Sequence, residues 1–318
     1  MKRSAAALAL ACALGAQAAE MPFAIAVHGG AGAVTRASLA PDRERAMRAA
    51  LAEALEAGQR ILARGGTSLD AVAAAVRVLE DSPHFNAGKG AVFTSDGANE
   101  LDASIMDGAT LRAGAVAGVT TVKNPVDAAR AVMDRSRHVL LAGPGADRFA
   151  KEQGLAIVDP SYFRTEERWR QHLRGKDDGK LGTVGAVALD QAGNLAAATS
   201  TGGIEGKRFG RVGDSPIVGA GTWAENGSVA VSATGTGEMF LRTAAAHDIA
   251  ALVKYKGLSP GQAAREALAK VRALGGEGGV IVLGRGGEPA FDFTTAGMYR
   301  GYAIGAGKAR VSIFREEP

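Results

Sequence analysis

One cysteine, Cys12, is present in 318 residues, and it lies in the N-terminal apolar run. A chain this poor in cysteine has neither a disulfide framework nor a thiol nucleophile further along. Aromatics are sparse too, at 10 Phe, 4 Tyr and 2 Trp, which excludes stacking platforms for single-stranded nucleic acid. The five histidines, His28, His84, His138, His172 and His247, are scattered with no H-E-x-x-H spacing, so a zinc centre has little support. Neither G-x-G-x-x-G nor G-x-x-x-x-G-K-[ST] is complete, and G-x-S-x-G and S-x-x-K are missing. Charge of one sign is also lacking, with 37 basic and 33 acidic residues and no basic block. Nucleic acid and membrane surfaces are therefore not expected partners. No apolar run reaches the roughly 20 residues needed to span a bilayer.

What the chain has in excess is glycine, 44 residues, without a collagen period. That density implies many tight turns and close approaches of backbone to ligand or backbone. The start has the layout of a signal peptide: Lys2 and Arg3, then apolar Ala5 to Ala13, then Ala16-Gln17-Ala18 as an A-x-A cleavage site. Residues 1–18 are thus expected to be removed, leaving an exported chain, periplasmic or secreted, with 35 basic and 33 acidic residues and no cysteine.

Strand and helix signals occur in both halves, which indicates a layered arrangement of the two. FAIAVHGGAGAV is a buried strand ending in a Gly-rich turn. Helical spacing follows from Pro41 to the Gly65-Gly66 stop, and again from Thr67 to Leu79, with Thr67 and Asp70 placed as in a capping box. ELDASIMDG and LRAGAVAGV are strands, and Asn124-Pro125 opens a helix as N-cap and N1. Residues 144–181 are polar and form the expected exposed linker. Beyond Thr183, DQAGN splits two apolar strands as a hairpin turn. SVAVSATG and GGVIVLG are further strands, with helical stretches at Glu238–Tyr255 and Ser259–Leu274, the latter starting with a Ser259/Gln262 capping box.

Once the His, Cys and Ser templates are excluded, hydroxyl chemistry remains. A threonine hydroxyl needs a base beside it, and an N-terminal threonine carries one in its own α-amine. With a pKa near 8, roughly a tenth of such amines are neutral at pH 7, against about one in a few thousand for an ordinary lysine. Gly182-Thr183, after the polar segment and at the threshold of an apolar strand, is where such a terminus could be made by cutting the chain. Locally, Gly-Thr-Val-Gly reads equally as a plain strand start. The glycine would tolerate a strained backbone and leave its carbonyl accessible.

GTVGAVALDQAGNLAAATSTGG, GRVGDSPIVGAG and ATGTGE closely resemble the plant-type asparaginases, also called isoaspartyl or β-aspartyl peptidases, which are N-terminal-nucleophile hydrolases. VHGGAGA, FNAGKGAVFT and LDASIMDGATLRAGAVAGV resemble the first half of the same family, in the same order, so the likeness runs from Phe23 to Phe314. The resemblance implies an α+β fold, a four-layer αββα sandwich, with self-cleavage between Gly182 and Thr183. An α subunit (19–182) and a β subunit (183–318) would build one domain and pair as an (αβ)2 assembly. The linker before Gly182 is short for the family.

The resemblance also implies roles. Thr183 is the nucleophile on L-asparagine and β-aspartyl dipeptides, and Thr201 hydrogen-bonds near it. Thr234 and Gly235 form the oxyanion hole, a hydroxyl plus an N–H, with Asn86 close by. Arg211 and Asp214 clamp the substrate's α-carboxylate and α-amine, and Val212, Gly213, Thr236 and Gly237 line the same pocket. Carbonyls of Leu79, Glu80, Ser82, Phe85, Ala87 and Lys89 hold a structural sodium ion, and no catalytic cofactor is implied. Two other readings compete. One is a glycosylasparaginase-like amidase; the other is a non-catalytic exported amino-acid-binding protein, which would stay uncut.

Overall fold

The computed structural model describes residues 23–175 and 182–317, so the N-terminal segment read as a signal lies outside the described residues. The first half runs β1 (Ala24–Gly32), α1 (Pro41–Ala63), α2 (Ser68–Asp81), β2 (Leu101–Asp107), β3 (Ala113–Val119), α3 (Pro125–Arg135), β4 (Leu140–Ala142), α4 (Gly143–Glu152) and α5 (Glu166–Leu173). The second runs β5 (Val184–Leu189), β6 (Leu195–Thr201), β7 (Thr222–Ala224), β8 (Val229–Gly235), α6 (Gly237–Thr243), α7 (Ala245–Lys256) and α8 (Pro260–Ala273). It ends with β9 (Gly278–Gly284), β10 (Pro289–Phe293), β11 (Gly297–Ile304) and β12 (Arg310–Phe314).

Eight strands form one sheet in the order β12-β11-β1-β5-β6-β2-β3-β4, antiparallel except for β3 with β4, and four form a second in the order β10-β9-β8-β7. The strands alternate between two buried faces. In β5, Val184, Ala186 and Ala188 join the core beneath α1, α2 and α3, whereas Val187 and Leu189 join the core between the sheets. A third core packs α7 and α8 onto β8 and β9. Helix, sheet, sheet, helix is the αββα order. Because both faces of β5 and β6 are covered, their residues are buried and, apart from Thr199, Ser200 and Thr201, apolar, and Thr183 emerges at the end of β5.

Local signals act as the sequence indicates at several ends. Thr67 Oγ1 accepts from Asp70 N at 3.1 Å, and the Ser259/Gln262 capping box is complete. Gly65 (φ +77°) follows α1, and Gly193 (φ +79°) turns the β5–β6 hairpin. Three expectations change. Asn124 stands at the N-cap of α3, but its side chain caps nothing and donates instead to Asp81 at 3.2 Å. The stretch expected as one helix over Glu238–Tyr255 breaks at Ala244 (φ +46°) into α6 and α7. The segment 144–175 is not an exposed linker. It folds into α4 and α5 and buries Ala146, Ala150, Phe163 and Arg168. Its charges mislead because α5 is polar on most faces and anchors by one buried arginine, with Phe93 edge-on to Trp169.

Candidate active site

The hairpin register that pairs Val184 with Ser200 places Thr183 and Thr201 side by side at the end of the large sheet. Thr183 is only 8% exposed. Its Oγ1 donates to Thr201 Oγ1 at 3.1 Å, and Thr201 Oγ1 donates to the Gly182 carbonyl oxygen at 3.4 Å. Thr201 also accepts from Gly203 N at 3.0 Å, so it caps its own turn while linking the Thr183 hydroxyl to the carbonyl before it. Gly182 itself packs against Asn86. Glycine is required there by space, since a Cβ would fall 2.8 Å from Asn86 Cβ.

Asn86 fixes that contact. Its Nδ2 donates to Gly203 O at 2.7 Å, its Oδ1 accepts from Val92 N at 2.9 Å, and its carbonyl accepts from Gly202 N. Asn86 thus holds the Gly202-Gly203 turn against Gly182, with one of its two Nδ2–H donors spent on Gly203 O. Thr234, on β8, is fully buried, and its Oγ1 has no hydrogen-bond partner among the described residues. Leaving a buried hydroxyl unpaired costs about 1–3 kcal/mol, which a ligand oxygen would recover. Gly235 follows at φ +155°, where a Cβ would lie 2.4 Å from Glu277 O.

A cleft of about 270 Å³ is lined by Gly182, Thr183, Thr201, Gly203, Ile204, Arg211, Gly213, Asp214, Ser215 and Gly235. It brings the Thr183 hydroxyl and the expected clamp together. Val212, Thr234, Thr236 and Gly237 are not on its wall. Thr236 turns away, bonded through its hydroxyl to the Glu277 backbone. Gly237 abuts the clamp from behind, where a Cβ would come 2.8 Å from Arg211 Nη2 and 2.9 Å from Asp214 Oδ1.

The clamp residues do not pair with each other. Arg211 forks onto Glu238, Nε to Oε1 at 2.9 Å and Nη2 to Oε2 at 3.0 Å, and holds that carboxyl below its ordinary range. Glu238, the last residue of ATGTGE, received no role from the sequence, and the Glu-after-Gly signal offered none. Asp214 is 4% exposed, with Oδ2 unpaired among the described residues. Burial pushes its carboxyl up to about 7, against the downward pull of Arg211. An ammonium set beside it would restore its charge.

The sign of that shift gives a test. A carboxyl raised above its unfolded value stabilises the fold fully below about pH 4, and this contribution is lost as pH rises through about 7. Asp214→Asn should therefore match the ligand-free wild type in Tm at pH 4 and exceed it at pH 8 by roughly 10 °C, the shift that about 4 kcal/mol gives in a domain of this size. A lower Tm for the variant at pH 8 would show that the charge is already compensated.

His28 is no base for Thr183. Burial pushes it down to about 3, and its Nε2 bonds Ser232 Oγ at 2.8 Å. Ser232 begins a buried row of hydroxyls through Thr199 (2.7 Å), Thr222 (2.5 Å) and Ser104 (2.8 Å) to the Ser215 carbonyl (2.6 Å), which ties both sheets together beneath the cleft. Sequence reading missed this row, because single Ser and Thr residues in separate strands carry no pattern.

The Leu79–Lys89 segment curls back on itself. Gly88 (φ +50°) lies where a Cβ would be 2.3 Å from the Glu80 carbonyl oxygen. Ser82 N donates to Leu79 O at 3.3 Å and Gly90 N to Ala87 O at 3.2 Å. No cluster of three metal-ligating side chains exists among the described residues.

Comparison with known proteins agrees with this architecture. The chain is 52% identical over 308 residues to the isoaspartyl peptidase of Salmonella typhimurium, covering 92% of this chain and 98% of that one. It is 51% identical to the isoaspartyl peptidase of Escherichia coli, covering 92% and 96%. It is 42% identical to the isoaspartyl peptidase/L-asparaginase of Mus musculus, covering 88% and 87%. Residues 21–313 match the asparaginase family, and the chain belongs to that family of N-terminal-nucleophile hydrolases.

Proposed function

We propose that this hydrolase activates itself by cutting between Gly182 and Thr183 and then hydrolyses β-aspartyl dipeptides and L-asparagine with Thr183 as nucleophile. The observation that carries this is the row Thr183 Oγ1, Thr201 Oγ1, Gly182 O in one buried cleft with Arg211 and Asp214. In the first stage, Thr183 Oγ attacks the Gly182 carbonyl carbon while Thr201 donates to its oxygen. The peptide nitrogen leaves as the Thr183 α-amine, and water opens the resulting ester. That amine is then the base beside the hydroxyl. In turnover, Oγ attacks the substrate's β-amide carbon, ammonia or an amino acid leaves, and water hydrolyses the β-aspartyl ester to aspartate. The otherwise unpaired Thr234 hydroxyl and the Gly235 backbone are the groups assigned to the developing oxyanion.

The substrate clamp, standing in the same cleft as Thr183, supports a hydrolase over a purely binding role, and a glycosylasparaginase-like amidase would share it. It is set for an α-amino-acid end, and it stands beside a hydroxyl already linked to the bond it would cut. A denaturing gel of purified protein tests the reading. Two fragments should form without added protease, the smaller beginning Thr-Val-Gly-Ala. A stable full-length band with full activity would sink the mechanism, and an uncut, inactive chain that binds asparagine would favour the binding protein.

Three further parts of the reading go with it. Export predicts a mature chain beginning at Ala19 in the periplasmic or secreted fraction. An (αβ)2 assembly predicts about twice the protomer mass by light scattering. The curled Leu79–Lys89 segment, rich in carbonyl oxygens and closed at Gly88, fits a hard monovalent cation. Carbonyls that accept one hydrogen bond keep a second lone pair for it. Bound sodium would brace the segment that carries Asn86.

A further inference from the structure

Gly182 has a second cavity on its other side. This pocket of about 400 Å³ is lined by Gly182 and Asn86 together with Arg43, His84, Arg168 and Tyr299. Nothing in the chemistry above uses it. Its polar wall is cationic. Arg168 is 6% exposed, held by Nε to Gly90 O at 2.8 Å and by Nη1 to Gln171 Oε1 at 3.0 Å. Its Nη2 has no hydrogen-bond partner among the described residues, and neither has the Tyr299 hydroxyl. Arg43 pairs with Glu167 through Nη1 alone. Glu205 stands near Arg168 but is bound to His172 at 2.6 Å. A guanidinium this deeply buried, with one donor edge unused, is short of an anion.

We propose that this pocket binds a carboxylate delivered where Gly182 stands. Two such groups arise there, and both rest on the self-cleaving hydrolase reading above. One is the α-carboxylate of the residue that leaves a β-aspartyl dipeptide. With the β-aspartyl end held by Arg211 and Asp214 and its amide carbon at Thr183, the rest of the dipeptide must extend away from the clamp, and the Gly182 wall lies between the two cavities. The other is the carboxylate that the cut itself creates on Gly182. L-asparagine, whose leaving group is ammonia, brings no second carboxylate. Arg43 and Arg168 therefore set how strongly dipeptide is preferred over asparagine.

The test compares kcat/KM for β-Asp-Leu, its C-terminal amide and L-asparagine in the self-cleaved wild type, Arg168→Met, Arg168→Lys and Arg43→Gln. Far-UV circular dichroism and Tm report that each variant has folded, and a gel scores its self-cleavage. If the leaving residue is the source, Arg168→Met lowers the ratio of β-Asp-Leu to asparagine about 10- to 100-fold, and the ratio for the amide moves far less. Arg168→Lys restores part of it, and Arg43→Gln, on the half-buried helix face, shifts the ratio the same way. If Gly182 is the source, all three substrates fall together and cleavage stalls short of completion. Unchanged ratios with complete cleavage overturn the pocket while leaving the hydrolase reading intact. A wild type that neither cuts itself nor turns over any of the three overturns the hydrolase reading instead.

Discussion

Thr183→Ala is expected to leave the chain uncut and without measurable turnover, a fall of at least about 10³-fold on both L-asparagine and β-aspartyl dipeptides. On the function proposed above, one atom serves both reactions. The Oγ1 that donates to Thr201 is the atom placed to attack Gly182, and after cleavage it is the atom placed to attack substrate. The fold should survive, because Thr183 precedes β5 rather than packing within it, and Val184 to Leu189 keep both their cores. Far-UV circular dichroism and Tm should stay near wild type. Thr183→Ser keeps a hydroxyl in register with Thr201 and should retain part of both reactions. If the alanine variant still hydrolyses β-Asp-Leu, another residue is the nucleophile.

Arg211→Ala should separate the two reactions. Self-cleavage uses no free amino acid, and Arg211 makes no hydrogen bond to Gly182, Thr183 or Thr201. The gel should therefore show two fragments. Turnover of L-asparagine should fall by about 30- to 1,000-fold in kcat/KM, the effect of about 2–4 kcal/mol for a lost charge-assisted contact in a partly buried site. The loss is compounded. Arg211 pulls the Asp214 carboxyl down against burial, so its removal also leaves Asp214 more protonated and a poorer partner for ammonium. Arg211→Lys should recover little, since an ammonium cannot reproduce the fork now made on Glu238. A variant that cuts itself and keeps near-normal kcat/KM on both substrates would reduce Arg211 to a surface ion-pair residue.

Much of the local structure was legible in the chain. Thr67 and Ser259 cap their helices, and Gly193 turns the hairpin that sets Thr183 against Thr201. Each depends on residues a few positions apart, and short-range geometry fixes them. The motifs around Gly182-Thr183, GRVGD and ATGTGE likewise pointed to one cleft. Tertiary structure alone decided the rest, because partner choice across the chain has no local signature. Polar residues 144–175 became helix because Arg168 and Phe163 found a place beneath Gly90 and in the large core. Gly182 is a glycine because Asn86, 96 positions earlier, fills the space a side chain would need. Arg211 faces Glu238 rather than the nearer Asp214 because α6 begins directly behind the clamp and carries that carboxylate to it. Composition and spacing could identify which groups are available. Only the burial of long-range neighbours determined which of them remain unpaired, and in Thr234 and Asp214 it left buried polar atoms that no described residue satisfies and a ligand can.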